Sequence, residues 1–165
     1  MTFRHAQNTK HDCDLIFRLS NDPLVRATSF NSGQIEYGRH CEWFAMTLAD
    51  ANTLFFLVFE DESERDFVGQ IRFKRESEDS SECVISLSVT EQFRGRHIAK
   101  QFIELGIEEM RKKWYNVSVV VAEVKGENTA SNALFLKEGF RLISQVNTYK
   151  LSILPTSDDG GGVQM

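Results

Sequence analysis

The chain has 165 residues, enough for one domain that buries about two-thirds of its unfolded surface, and its 41% hydrophobic and 26% charged residues are the balance of an ordinary globular domain. Lysine and arginine number 19 against 24 aspartates and glutamates, and the net charge of −5 argues against nucleic acid as a general partner. No apolar run approaches the ~20 residues of a bilayer span, and Cys13, Cys41 and Cys83 have the spacing of neither a zinc site nor a disulfide framework. The chain shows no basic-then-apolar leader, so the expected location is cytoplasmic, with no membrane or metal partner.

Residues 3–7 open with a strand pattern, and a helix capped by Asp12 or Asp14 is expected through Leu15, Ile16 and Leu19, ending before Pro23. A second helix is predicted over 35–51, with His40, Trp43, Phe44, Thr47 and Leu48 on one stripe. Three strands follow, at 53–60, 67–74 and 82–89, joined by the acidic connections 60–64 and 76–81, which implies an antiparallel meander. In the third of them Cys83, Ile85, Leu87 and Val89 share one face, and Ser86 and Ser88 the other.

That strand runs into Arg94-Gly-Arg-His-Ile-Ala99, which opens a helix with Ile98, Ala99, Phe102, Ile103, Gly106, Ile107, Met110 and Trp114 on one face. A helix N-terminus carries unpaired N–H groups and partial positive charge, so Arg94, Arg96, His97 and Lys100 are unfavourable there unless an anion such as phosphate joins them. The plainer reading is a solvated basic patch. Residues 117–124 form an apolar strand buried on both faces, a helix over 129–138 is capped by Asn128 and stopped by Gly139, and strands at 140–145 and 148–153 close the pattern. One layered α/β or α+β domain over 1–154 is expected, with 155–165 a disordered tail.

The loop Arg94-Gly-Arg-His-Ile-Ala99, followed thirty residues later by Asn128-Thr-Ala-Ser-Asn-Ala-Leu-Phe-Leu-Lys-Glu-Gly-Phe140, resembles the pyrophosphate loop and late helix of the GNAT N-acetyltransferase superfamily. The resemblance implies acetyl-CoA as donor and a mixed, mostly antiparallel sheet splayed between its fourth and fifth strands. Loop amides Arg94, Gly95, Arg96, His97, Ile98 and Ala99 then hold the pyrophosphate. Leu87 and Val89, on the strand before the loop, pair with the pantetheine arm, and Asn128 and Asn132 contact it. Two departures stand out. His97 replaces the family's central glycine, so either its Cβ redirects the loop or its imidazole meets a phosphate. Phe135 occupies the position of the usual tyrosine acid and can only pack beside the sulfur.

Acetyl transfer to an amine needs a neutral nucleophile and a polarised thioester. Glu123 ends an apolar row of Val117, Val119 and Val121, where desolvation is expected to raise its pKa and make it the base; a solvated or ion-paired glutamate is the alternative. Ser86 or Ser88 is expected to relay a proton or hold water. Around Arg26, Phe30, Asn31, His40, Trp43 and Arg72 the sequence resembles the pseudaminic-acid-pathway members, which acetylate a nucleotide-linked amino-dideoxysugar. That implies Arg26 or Arg72 on the diphosphate and Phe30 or Trp43 against a base or sugar face. His40, Trp43 and Phe44 also suit a plain core stripe. A protein or peptide amine acetyltransferase, and a degenerate CoA-binding module, remain the competing readings. A homodimer is compatible with the pattern.

Overall fold

The alternation that marks residues 53–89 as strands places every second side chain on each face of a sheet, and the computed structural model shows how the two faces are covered. It describes residues 1–143 and 148–153; the expected tail at 155–165, and the end of the strand expected at 140–145, lie outside these. The described strands are β1 (Thr2–His5), β2 (Thr53–Phe59), β3 (Phe67–Lys74), β4 (Glu82–Val89), β5 (Val119–Glu123), β6 (Arg141–Leu142) and β7 (Thr148–Ser152). They form one seven-stranded sheet in the order β1-β2-β3-β4-β5-β7-β6, antiparallel throughout except for the β4–β5 pair.

The helices are α1 (Lys10–Ser20), α2 (Pro23–Thr28), α3 (Tyr37–Ala49), α4 (Ile98–Lys113) and α5 (Thr129–Lys137). On one face, Phe102, Ile103 and Met110 of α4 join Phe56, Val58, Ile71, Phe73 and Ile85 in the larger core. On the other, Cys13 and Ile16 of α1 and Phe44 of α3 cover Phe55, Leu57 and Phe59. Each large side chain buried this fully contributes about 1.5–3 kcal/mol, so both layers are firmly seated on the sheet.

Several boundaries differ from expectation for identifiable reasons. Helix α1 is capped by Thr9, whose Oγ1 accepts from Asp12 N at 3.2 Å. Asp12 turns inward instead, taking two hydrogen bonds from Arg4 at 2.7 and 2.9 Å and one from Gln7 N at 2.8 Å. Pro23 does not only end a helix: its fixed φ and missing N–H suit the first position of a new one, and Asp22 caps α2 by accepting from Leu24 N and Val25 N. Helix α3 starts at Tyr37 rather than 35 because Glu36 takes the N–H groups of Gly38 and Arg39. Its expected stripe is only partly buried, with His40 and Phe44 each 1% exposed and Trp43 39%.

The decisive feature for function is the parting of β4 and β5. Their pairing runs from Glu82↔Val119 to Ile85↔Ala122 and then stops, while β4 continues to Val89. From Ser86 onward β4 is paired to β3 alone. Gly69 helps hold that pair together: a Cβ there would lie 2.2 Å from the carbonyl oxygen of Ser88.

Candidate active site

Three chambers converge on the unpaired end of β4. A donor-side groove of about 490 Å³ is lined by Leu87, Val89, Gly95, His97, Ile98, Ala99 and Asn128, with Leu24, Val25 and Thr28 of α2 opposite. A middle chamber of about 380 Å³ runs past Ser86 and Ser88 to Glu123 and Phe135, with Phe30 at its edge. A third, of about 400 Å³, lies under α1 and α3 and contains Arg26, Asn31, Arg39, His40, Trp43, Gln70 and Arg72. Val25 and Ser88 line all three, so the chambers meet where the sheet opens.

The donor groove ends at the start of α4. Gly95 and His97 both have positive φ, +73° and +58°, and flank Arg96. Successive amides in such a turn point inward and, with the first N–H groups of a sixteen-residue helix, form a concavity suited to an anion. His97 therefore adopts a left-handed backbone conformation of the kind glycine favours, which costs about 1–2 kcal/mol. Its side chain makes no capping bond. Arg94 does not project its charge freely at this nest. Its Nε donates to Val89 O at 3.0 Å, and its Nη2 sits 2.8 Å from Asp22 Oδ1. Arg96 lies across the Phe93 ring, 5.3 Å from its centre.

Beyond the groove, the helix α5 residues divide. Asn128 caps α5 by accepting from Ser131 N at 3.2 Å while lining both the donor groove and the middle chamber. Asn132 lines neither; its Nδ2 donates to the carbonyls of Lys125 at 3.0 Å and Asn128 at 2.9 Å, and its Oδ1 accepts from the Tyr149 hydroxyl. It holds the turn before α5. Phe135 is buried between Phe140 and Tyr149, with ring centres 4.9 and 6.2 Å away, and offers the middle chamber an apolar wall without a proton.

Register places the reactive candidates on one face. Arg72 pairs with Ser86, Gln70 with Ser88, and Val84 with Val121, so Ser86, Ser88 and Glu123 look toward the same side as Arg72. Glu123 is exposed at the end of β5, where only β7 still pairs with it, and not desolvated as its apolar row suggested. The strand has already separated from β4, and no ion pair among the described residues involves it.

The third chamber is electropositive. Arg26, Arg39 and Arg72 line it and no aspartate or glutamate does. Arg26 is spent locally, its guanidinium donating to the carbonyls of Ser20, Asn31 and Gly33 and to Ser29 Oγ. It shapes the 29–33 loop and is not free for a diphosphate. Arg72 is different. It lies 5.1 Å from the Trp43 ring centre and 5.7 Å from that of Phe55, without a carboxylate partner among the described residues, and burial pushes its pKa below the usual arginine value. Burial likewise lowers His40, whose Nε2 donates to Cys13 O at 2.9 Å, so its imidazole is a structural part of the chamber wall. Gln70 was missed by sequence reasoning. Its Oε1 is buried without a partner and its Nε2 only reaches Ser88 Oγ at 3.5 Å. The available signal was its position two residues before Arg72 on the same strand face.

A parted strand pair beside an amide-lined nest is what a thioester carrying a pyrophosphate would occupy, and it defines a class of acyl-transfer proteins. Residues 1–141 match the family described as the acetyltransferase (GNAT) domain, and the chain belongs to that family. It is thus an acetyl-CoA-dependent acetyltransferase. No match was found among curated proteins. Among solved structures, spermidine N-acetyltransferase from Vibrio cholerae, in complex with CoA and spermine, superposes with a TM-score of 0.78 at 15% identity over 93% of this chain and 95% of that one. Ribosomal-protein-alanine N-acetyltransferase from Brucella melitensis gives 0.74 at 21% identity over 93% and 100%. A domain from Methanocaldococcus jannaschii gives 0.76 at 16% over 92% and 97%. At these identities the likeness is one of fold.

Proposed function

We propose that this enzyme acetylates the amino group of a nucleotide-linked amino sugar, with residues 1–154 acting as one catalytic domain. The observation that carries the reading is Arg72, a mostly buried cation that, among the described residues, has no carboxylate partner and sits in a chamber lined by arginines and by no acid. Such a chamber favours an acceptor that brings an anionic group, because a buried charge is stabilised strongly by an opposite one. A polyamine would bring the wrong sign. The Trp43 indole, partly exposed above Arg72, supplies a flat apolar surface for a base or a deoxysugar.

Acetyl-CoA supplies an activated acyl group whose carbonyl the amine attacks. The donor groove fits that molecule: the unpaired edge of β4 offers N–H and C=O groups to an amide-rich arm, and the Gly95–Ala99 turn offers amides to a pyrophosphate. Gln70 Oε1 and Ser88 Oγ would receive N–H bonds from the acceptor amine and aim its lone pair toward the gap. Glu123, at the mouth of the middle chamber, would take the ammonium proton through water held near Ser86 or Ser88. The thiolate leaves without a donor from Phe135, since a thiol of pKa about 8.5 is a competent leaving group.

The test is to titrate the CoA-bound protein with a nucleoside diphosphate. Saturable binding that is weakened in Arg72→Met supports the reading. Failure to bind, with efficient acetylation of peptides instead, would favour the protein-amine alternative. Folded protein that binds CoA yet transfers acetyl to no amine would favour a CoA-binding module.

A further inference from the structure

Helix α2 is the wall common to the chambers: Leu24, Val25 and Thr28 face the donor groove, and Val25 and Arg26 face the acceptor chamber. Yet none of its six residues is buried, so apolar packing does little to hold it. Its described attachments are polar. Arg26 Nε ties α2 to Ser20 O at the end of α1, Lys125 Nζ donates to Ala27 O at 3.4 Å, and Asp22, the α2 cap, meets Arg94 from the start of the donor loop.

That meeting joins two parts of the reaction path. Arg94 Nε is tied to Val89 O, the last residue of the open β4 edge, so the guanidinium spans from the donor strand to the acceptor wall. The Arg94 and Asp22 side chains are 24% and 18% exposed, sheltered enough to be screened less than a surface pair. Burial pushes Asp22 up, but Arg94 and the α2 amides together hold its carboxyl below the usual range. Arg94 Nη2 is buried, 2.8 Å from Asp22 Oδ1. A pyrophosphate arriving at the next residues would place acceptor oxygens beside it.

We infer that Asp22 is a positioning residue, which acts through Arg94 to fix α2 when the donor groove is filled, so that CoA binding completes the acceptor chamber. The inference rests on the donor-groove reading and not on the identity of the acceptor. Because Arg94 contacts the donor strand and Asp22 together, an anion that orders its guanidinium lowers the cost of holding α2 in place, and the coupling is reciprocal.

Hydrogen exchange with and without saturating CoA reads this directly. In the wild type, amides of residues 22–30 should slow by about fivefold or more when CoA binds, the low end of ordinary site-to-site coupling. Asp22→Asn removes the charge but keeps a cap of equal quality. It should bind CoA within about threefold of wild type and lose the CoA-dependent slowing at 22–30. If Asp22→Asn does not fold, Asp22→Ser supplies the same test with another good cap. Either of two results overturns the inference: CoA that binds the wild type without slowing exchange at 22–30, or full slowing retained in the charge-free variant. Absence of CoA binding to folded wild type would instead overturn the donor-groove reading.

Discussion

Replacing Arg72 with Met tests the acceptor chamber at its most specific point. The guanidinium lies between Trp43 and Phe55, 5.1 and 5.7 Å from their ring centres, and among the described residues has no carboxylate to leave stranded. Met fills similar length, so the protein loses cation–π contacts worth about 0.5–2 kcal/mol and gains relief from holding a desolvated charge. Stability should therefore stay within about 1 kcal/mol of wild type. An acceptor anion, by contrast, would lose a sheltered charged partner worth about 2–4 kcal/mol, or roughly 30- to 700-fold in affinity. Initial rates of thiol release should show that loss in the KM for a nucleotide-linked amino sugar, while the KM for acetyl-CoA stays within about twofold. An equal loss for an uncharged amine, or an unchanged KM for the charged one, would refute the assignment of Arg72 to an anionic group.

Other outcomes follow from the same geometry. Glu123→Gln should lower kcat by about a hundredfold or more with CoA affinity unchanged; saturated rates unaffected across several pH values would shift the base role to water held at Ser86 or Ser88. At His97, Gly should bind CoA as well as wild type because the backbone already follows a glycine path, whereas Val should cost about 1–2 kcal/mol in denaturant unfolding. A large loss of CoA affinity in His97→Gly would instead assign the imidazole to a phosphate. Burial pushes the Asp12 carboxyl up, but Arg4 and Gln7 N more than offset it and hold the pKa below the ordinary value. Its contribution is thus complete above the unfolded value of about 4 and lost as pH falls through the folded one. Asp12→Asn should destabilise by about 3 kcal/mol near pH 7 and by progressively less as pH falls below about 4 in urea titrations.

Periodicity made the sheet legible. Strands at 67–74 and 82–89 emerge from alternation and the one at 53–59 from a continuous apolar run, and the parallel neighbour of β4 lies in the apolar run before α5. The donor loop was legible for a different reason, since basic residues and glycine at a helix start conflict with the dipole unless an anion is present. What sequence could not supply is the use of a charge once the chain folds. Arg26 and Arg72 look equivalent in sequence, yet one is wrapped in backbone carbonyls and the other lies open between two rings. Asp12 looks like a cap and Asp22 like part of a helix end, but Arg4 draws the first into an ion pair while Pro23 lets the second start a helix. Glu123 stood in an apolar row, and only the parting of β4 from β5 reveals that the row ends in solvent.

The most direct measurement of the central claim is the ratio of kcat/KM for a nucleotide-linked 4-amino-dideoxysugar to that for spermidine and for an amino-terminal alanine peptide, all with acetyl-CoA as donor. A chamber that holds Arg72 and Arg39 and, among the described residues, no acid predicts that the nucleotide sugar is preferred by at least about a hundredfold, equivalent to one sheltered charge contact. Preference for spermidine, or for the peptide, at comparable or greater efficiency would contradict it.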